Sequence, residues 1–241
     1  MIPALAFLFL TYLAAAVPFG LVLTMLYGGE ADIRQEGSGN IGATNVVRVY
    51  GWAMAAPVLA LDVGKGLLPV LLARVAFPDL GTWWLGLTAL VAFLGHVYPV
   101  YLAFHGGKGV ATGAGAMLGL APAPTAGAAV VWGLVLVVTG RSSLASLTAT
   151  AALVGLALLL QPDALGVATV LALGILQSHV GNIRRLIAGD EQAILRPVRW
   201  GRSDRSAAPD PAEVLAMGPA GTAAPEAWRT TTDDASSPES P

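Results

Sequence analysis

Apolar residues run along this chain in long blocks, interrupted by short polar stretches rich in glycine. Stretches without charge cover residues 1–29, 80–107, 109–140, 142–162 and 164–183. Each reaches or exceeds the roughly 20 residues with which a helix crosses a hydrocarbon core. The pattern predicts a first span at about 4–26, then a polar, Gly-rich loop to about residue 50. Residues 51–77 follow, apolar apart from Asp62, Lys65 and Arg74, with Pro57, Gly64, Gly66 and Pro69 available to bend or break a helix. A third span covers 83–103, where Trp83 and Trp84 are expected as an interfacial aromatic anchor. A second Gly-rich loop lies around 105–109.

Residues 109–140 decide the topology, because Pro122-Ala123-Pro124 reads either as a turn between two short spans or as a kink in one long span. Two spans place Arg34, Arg48, Lys108, Arg141, Arg184 and Arg185 on one side, with only Arg74 near the other face. That is the distribution of the positive-inside rule. A single long span would set Arg141 opposite Lys108. The expected fold class is therefore an all-α membrane protein, a polytopic bundle of seven transmembrane helices with the N-terminus periplasmic and the C-terminus cytoplasmic. The division is a membrane domain over 1–200 and a disordered cytoplasmic tail over 201–241, where Pro, Ala, Ser and Asp leave little apolar surface to bury.

Composition narrows the chemistry. Of the 241 residues 55% are hydrophobic and 12% charged, far more apolar than an ordinary soluble domain. The first apolar run is not expected to be a signal peptide, lacking a basic start and small residues at a cleavage position. The absence of cysteine excludes disulfides, thiol nucleophiles and thiolate metal sites. Three histidines, His96, His105 and His179, are widely spaced, so no metal and no cofactor are expected.

Four segments carry candidate chemistry. The first loop reads Glu36-Gly37-Ser38-Gly39-Asn40-Ile41-Gly42-Ala43-Thr44-Asn45, with Arg48 three residues on. It matches G-x-G-x-x-G formally, but a membrane helix precedes it where a dinucleotide fold needs a strand. The underlying physics survives: glycines at 37, 39 and 42 let amides converge on an anion, and a helix beginning near Gly42 would point its N-terminus there. Ser38, Asn40, Thr44 and Asn45 add neutral donors, and Arg48 a planar cation suited to phosphate.

The second segment sets Asp62 and Lys65 three apart on one helical face beside Gly66, inside a span. Intramembrane charges usually mark a water-filled site, although a buried structural pair reads equally from the sequence. A break near Gly64 or a cavity would accommodate them. Third, His96 ends a span and leads to Gly106-Gly107-Lys108-Gly109, glycines around a point charge; Gly109 after the lysine rules out a Walker A loop. Fourth, His179 and Asn182 share a face if the last helix continues, with Glu191 beyond. His179 reads as a base or donor, or as a simple helix end.

These motifs, taken in order from about Pro18 to Glu191, resemble the bacterial acyl-phosphate:glycerol-3-phosphate acyltransferase family. The matching pieces are Gly-Ser-Gly-Asn-x-Gly-Ala-Thr-Asn with Arg48, Asp-x-x-Lys-Gly with Pro69, Gly-His-x-x-Pro leading to Gly-Gly-Lys-Gly-Val-Ala-Thr, and His-x-x-Asn-Ile-x-Arg-Leu with Gly189 and Glu191. His105 stands where the family commonly has lysine. The resemblance implies that Ser38 and Arg48 are essential and that Lys65 and Gly66 help hold glycerol phosphate. It also implies that Lys108 with its glycines binds phosphate, and that His179 and Asn182 complete a cytoplasm-facing site. The implied donor is acyl phosphate rather than acyl-CoA or acyl carrier protein, in a bacterial inner membrane and without a metal.

The expected partners are acyl phosphate, glycerol 3-phosphate and membrane lipid, with no nucleic acid; contact with the soluble enzyme that makes acyl phosphate stays open. Direct attack is favoured over an acyl-enzyme at Ser38, because G-x-S-x-G is absent. The proton of the attacking hydroxyl goes either to His179 or to a donor phosphate oxygen. Two rivals share part of the pattern. A transporter of a phosphorylated solute should show repeat symmetry, and a CDP-alcohol phosphotransferase should show clustered aspartates for metal ions.

Overall fold

The structure, a computed structural model, describes residues 2–27 and 32–195. The expected tail, 201–241, lies outside the described residues. Everything described is helix, turn or loop. The first apolar block forms α1 (Ile2–Ala16) and α2 (Phe19–Tyr27), bent by 43° at Val17-Pro18. Proline cannot donate the backbone hydrogen bond that would continue α1. An interfacial helix, α3 (Ala43–Tyr50), follows the first polar loop and precedes α4 (Trp52–Ala76) and α5 (Gly81–Val97). Next come α6 (Val110–Leu120), α7 (Pro122–Thr139) and α8 (Ser142–Leu160), then α9 (Leu165–Ser178) and α10 (Val180–Ala188), bent by 60° at His179.

By length and apolar character four helical segments can cross a membrane, and the bent pairs α1/α2 and α9/α10 bring the number to six. The remaining apolar helix, α6, rises only about 16 Å over its 11 residues. The run 109–140 is two helices, of which α7 alone has the length of a span, with Pro122 at the first position of α7, where its missing N–H costs nothing.

Of the two ways to accommodate Asp62 and Lys65, the cavity is present and the break near Gly64 is not: α4 runs unbroken through Pro57, Gly64 and Pro69, and Asp62 lines the cavity. The break falls in the neighbouring chain at Pro18, and it is there that Lys65 finds a partner. One expectation is corrected. Trp84 is no interfacial anchor: it is 3% exposed and packs edge-on against Phe77, while Trp83 stays exposed.

Packing rests on small residues. A Cβ at Gly66 would lie 2.0 Å from the Thr112 carbonyl oxygen, and one at Gly115 would lie 2.0 Å from that of Val63. The backbones of α4 and α6 therefore touch, as small residues permit in membrane bundles. Phe93, Met117, Leu120, Leu171 and Ile175 fill the core between α5, α6 and α9. At one end of the bundle Arg74 donates to the Gly119 carbonyl and Gln161 to that of Leu120. Arg48, Lys108, Arg141 and Arg185 collect at the other end, around a cavity.

Candidate active site

The first loop is built around one side chain. Asn45, buried in α3, accepts from the Ser38 amide (2.7 Å) and the Ser38 hydroxyl (3.0 Å), and donates to the carbonyls of Ile33 and Glu36 (3.0 Å each). All four hydrogen-bonding positions of the amide are used. Gly37 must be glycine here: its φ is +58°, and a Cβ would lie 2.4 Å from Asn45 Oδ1. Asn40 caps the turn by accepting from the Gly42 amide at 2.9 Å. Ser38 is thereby fixed at the rim of a cavity of about 350 Å³.

Residues from every candidate motif line that cavity: Ser38, Asn40, Gly42, Thr44, Asn45 and Arg48 from the first, Asp62 from the second, His96, Lys108 and Gly109 from the third, and His179, Asn182 and Glu191 from the fourth. Six predicted residues stay outside its lining, and each has a structural occupation. Gly37 and Gly39 shape the first loop at positive φ, and Gly66 lets α4 meet α6. Gly106 and Gly107 pack against the backbone and ring of His96 and donate to the carbonyls of Val97 and His96. Lys65 bonds the Val17 carbonyl freed by the Pro18 break (2.9 Å), pairs with Asp62 (2.9 Å) and lies over the Phe19 ring. The intramembrane pair is therefore both structural and, through Asp62, part of the cavity wall.

Electrostatics at the polar end favour an anion. The first turns of α3, α6 and α8 all contribute lining residues, so the positive ends of three helices meet there. Lys108 donates to Asn182 Oδ1, Asn182 Nδ2 donates to Glu191 Oε1 (2.7 Å), and Arg185 Nε donates to Glu191 Oε2 (2.7 Å). Asn182 thus keeps the ammonium apart from the carboxylate and leaves its charge uncancelled. Burial lowers the Lys108 pKa to about 8 even though Glu191 pulls it upward, with Arg185 and Arg48 adding to the depression. Burial likewise lowers the pKa of Arg48. Its Nη2 donates to the Gln192 carbonyl at 3.2 Å, and its Nε is buried without a hydrogen-bond partner.

His179 sits at the bend between α9 and α10. Its Nδ1 is 2.8 Å from the Ile175 carbonyl, which can only accept, so Nδ1 carries the proton and Nε2 keeps a lone pair. Among the described residues no group of three or more His, Asp or Glu side chains could hold a metal ion.

One contributing segment was not singled out from the sequence. Gly140-Arg141-Ser142-Ser143, the turn into α8, lines the cavity through Ser142 and Ser143; Ser142 meets Thr44 at 3.0 Å, and Arg141 donates to the Glu191 carbonyl. Its glycine, cation and hydroxyls, next to an apolar run on the arginine-rich side, repeat the composition of the other motifs. Arg185, which the sequence places in the fourth motif and among the cations of one side without a site role, holds Glu191. His105 Nδ1 lies 2.7 Å from the Ala103 carbonyl, and the residue takes no part in the lining.

Away from these groups the cavity turns apolar, along Leu59, Val63, Ala128, Trp132, Leu153, Leu171 and Ile175. A polar end with two cations thus opens into a hydrocarbon-lined arm.

The comparisons agree with this geometry. The family model described as Glycerol-3-phosphate acyltransferase matches residues 5–189. A glycerol-3-phosphate acyltransferase of Pseudomonas syringae pv. syringae is 44% identical over 182 residues, 75% of this chain and 93% of its own. Its counterpart in Myxococcus xanthus is 46% identical over 189 residues, 78% and 97% of the two chains. Crystal structures of PlsY, an integral membrane glycerol 3-phosphate acyltransferase, match at 37% identity over 79% of this chain and 95% of theirs. The TM-score is 0.74 for the glycerol 3-phosphate form and 0.71 for the lysophosphatidic acid form. A multi-pass membrane protein, helical with turns and loops throughout its described residues and with these four motifs around one cavity, this chain belongs to the glycerol-3-phosphate acyltransferase family of phospholipid biosynthesis.

Proposed function

We propose that the chain transfers a fatty acyl group from acyl phosphate to the 1-hydroxyl of sn-glycerol 3-phosphate, giving lysophosphatidic acid and inorganic phosphate. The reaction would run at the cytoplasmic face of a bacterial inner membrane, in a seven-span bundle with its N-terminus outside. The observation that carries this reading is the cavity's two-part character. Arg48, Lys108 and three helix N-termini suit two phosphates that would otherwise repel each other, and the apolar arm suits a hydrocarbon chain.

Acyl phosphate is a mixed anhydride with a good leaving group, so the work left to the protein is positioning and charge stabilisation. The 1-hydroxyl oxygen attacks the acyl carbonyl carbon, the new ester C–O bond forms, and the bond to the phosphate oxygen breaks with its electron pair leaving on phosphate. The hydroxyl proton passes to His179 Nε2 or to an oxygen of the departing phosphate. The Ser38 hydroxyl donates its one proton to Asn45 Oδ1, so Ser38 serves as a donor to substrate only by turning that proton into the cavity, and Asn182 and Glu191 position Lys108 without needing to touch substrate.

The test supplies purified protein in detergent with glycerol 3-phosphate and either palmitoyl phosphate or palmitoyl-CoA. Lysophosphatidic acid should form from the phosphate only. Turnover with CoA alone, or with neither donor, overturns the assignment. Arg48→Ala should lower kcat/KM by about 100-fold or more while the protein remains folded; an unchanged rate removes Arg48 from the site.

A further inference from the structure

The apolar arm has a closed end, and its position follows from helix register. Ser142, the first residue of α8, lies at the polar mouth, whereas Leu153 lines the same cavity about three turns further along α8, roughly 16 Å deeper. On α7 the deepest lining residues are Ala128 and Thr125, which lie far from the Thr139 end of that helix. All three are buried, and beyond them Leu120, Ala121 and Ala157 form solid core.

The polar atoms along the arm are satisfied from within. Thr125 donates to the Ala121 carbonyl (2.7 Å), Thr150 to the Ser146 carbonyl (2.7 Å), and the Trp132 indole N–H to the Ser146 hydroxyl (3.2 Å). With the two threonine hydroxyls and the indole N–H thus engaged, most of the wall offers hydrocarbon. Ala128, Ala129 and Ala149 leave room that larger side chains would fill.

We infer that Leu153 and Ala128, with Thr125 one turn beyond Ala128, are the chain-length gauge of this enzyme: they form the stop against which the terminal methyl group of the acyl donor rests. This rests on the acyl-transfer reading above. Each methylene buried in the arm is worth about 0.8 kcal/mol, close to fourfold in kcat/KM. Chains that fit should gain by about that factor per carbon until they reach the stop, and longer ones should lose.

The experiment measures kcat/KM for a series of saturated acyl phosphates from decanoyl to eicosanoyl with glycerol 3-phosphate, each variant's values being divided by its own decanoyl value, so that a smaller folded fraction cancels. Ala128→Leu fills the floor and should lower the hexadecanoyl ratio about tenfold or more. Leu153→Ala deepens it and should raise the ratio of eicosanoyl to hexadecanoyl. Shifts of opposite sign are something general destabilisation cannot imitate. A length profile that neither variant moves, or that both move the same way, overturns the gauge. Absence of product from every acyl phosphate with the unmodified protein would instead refute the acyl-transfer reading itself.

Discussion

Lys108 concentrates the chemistry of the site in one titration. Its pKa of about 8 means that the free protein loses this cation as pH rises through that value. Phosphate binding needs the protonated form, so kcat/KM should be flat below about pH 7 and fall toward tenfold per unit above the pKa. A bound phosphate raises the lysine pKa, so the limb in kcat should lie at higher pH than the limb in kcat/KM. Stability moves the opposite way: between about 8 and 10.5 the unfolded chain binds more protons than the folded one, so unfolding becomes harder as pH rises. Lys108→Arg should carry the alkaline limb beyond the measurable range, and Asn182→Asp should also move it upward by setting a second carboxylate against the ammonium. A limb unchanged in both variants would separate it from Lys108. The identities of Arg48, Lys108, His179 and Asn182 were legible in the sequence because charged or amide side chains beside glycines next to membrane helices have few other uses. The occupations of Asn45 and Lys65 were not, because they depend on carbonyls at Ile33, Glu36 and Val17 that only the folded backbone brings within reach.

Among the elements, α4 and α6 show how neighbouring glycines differ. Gly64 has open space where a Cβ would go, whereas a Cβ at Gly66 meets the Thr112 carbonyl. Gly64→Ala should be neutral or should stabilise α4 by up to about 1 kcal/mol, through helix propensity alone. Gly66→Ala should destabilise by about 1–3 kcal/mol, because the two backbones must separate. Thermal unfolding in detergent, followed by tryptophan fluorescence, would rank them; equal melting temperatures would contradict the α4–α6 contact. Sequence periodicity located the apolar helices well, including the turn before Pro122. It left open whether α4 breaks, and the helix stays whole, since proline and glycine are tolerated in a membrane helix when neighbours meet the freed groups. The shared face of His179 and Asn182 depends on a continuing helix, and the chain bends by 60° there instead. Both still reach the cavity.

For the whole molecule, the gathering of Arg48, Lys108, Arg141 and Arg185 at one end predicts a single orientation. The chain has no cysteine of its own, so single replacements report cleanly. Asp163→Cys, in the turn between α8 and α9, should react with an impermeant maleimide in intact spheroplasts. Gln35→Cys, in the first loop, should react only after permeabilisation. Labelling of Gln35→Cys in intact spheroplasts would refute the bundle's proposed direction and, with it, a site open to the cytoplasm.

The stretch after α10 has a consequence for how the enzyme comes into being. Glu191 meets Asn182 and Arg185, the Glu191 and Gln192 carbonyls receive Arg141 and Arg48, and the amides of Ile194 and Leu195 return to Gly140. Arg48 of α3 and the Gly140-Arg141 turn are therefore laced into place by some of the last described residues. A nascent chain halted before residues 191–195 have left the ribosome would carry every described helix and still lack these ties across the cavity mouth, so its phosphate-binding end should assemble only once they emerge.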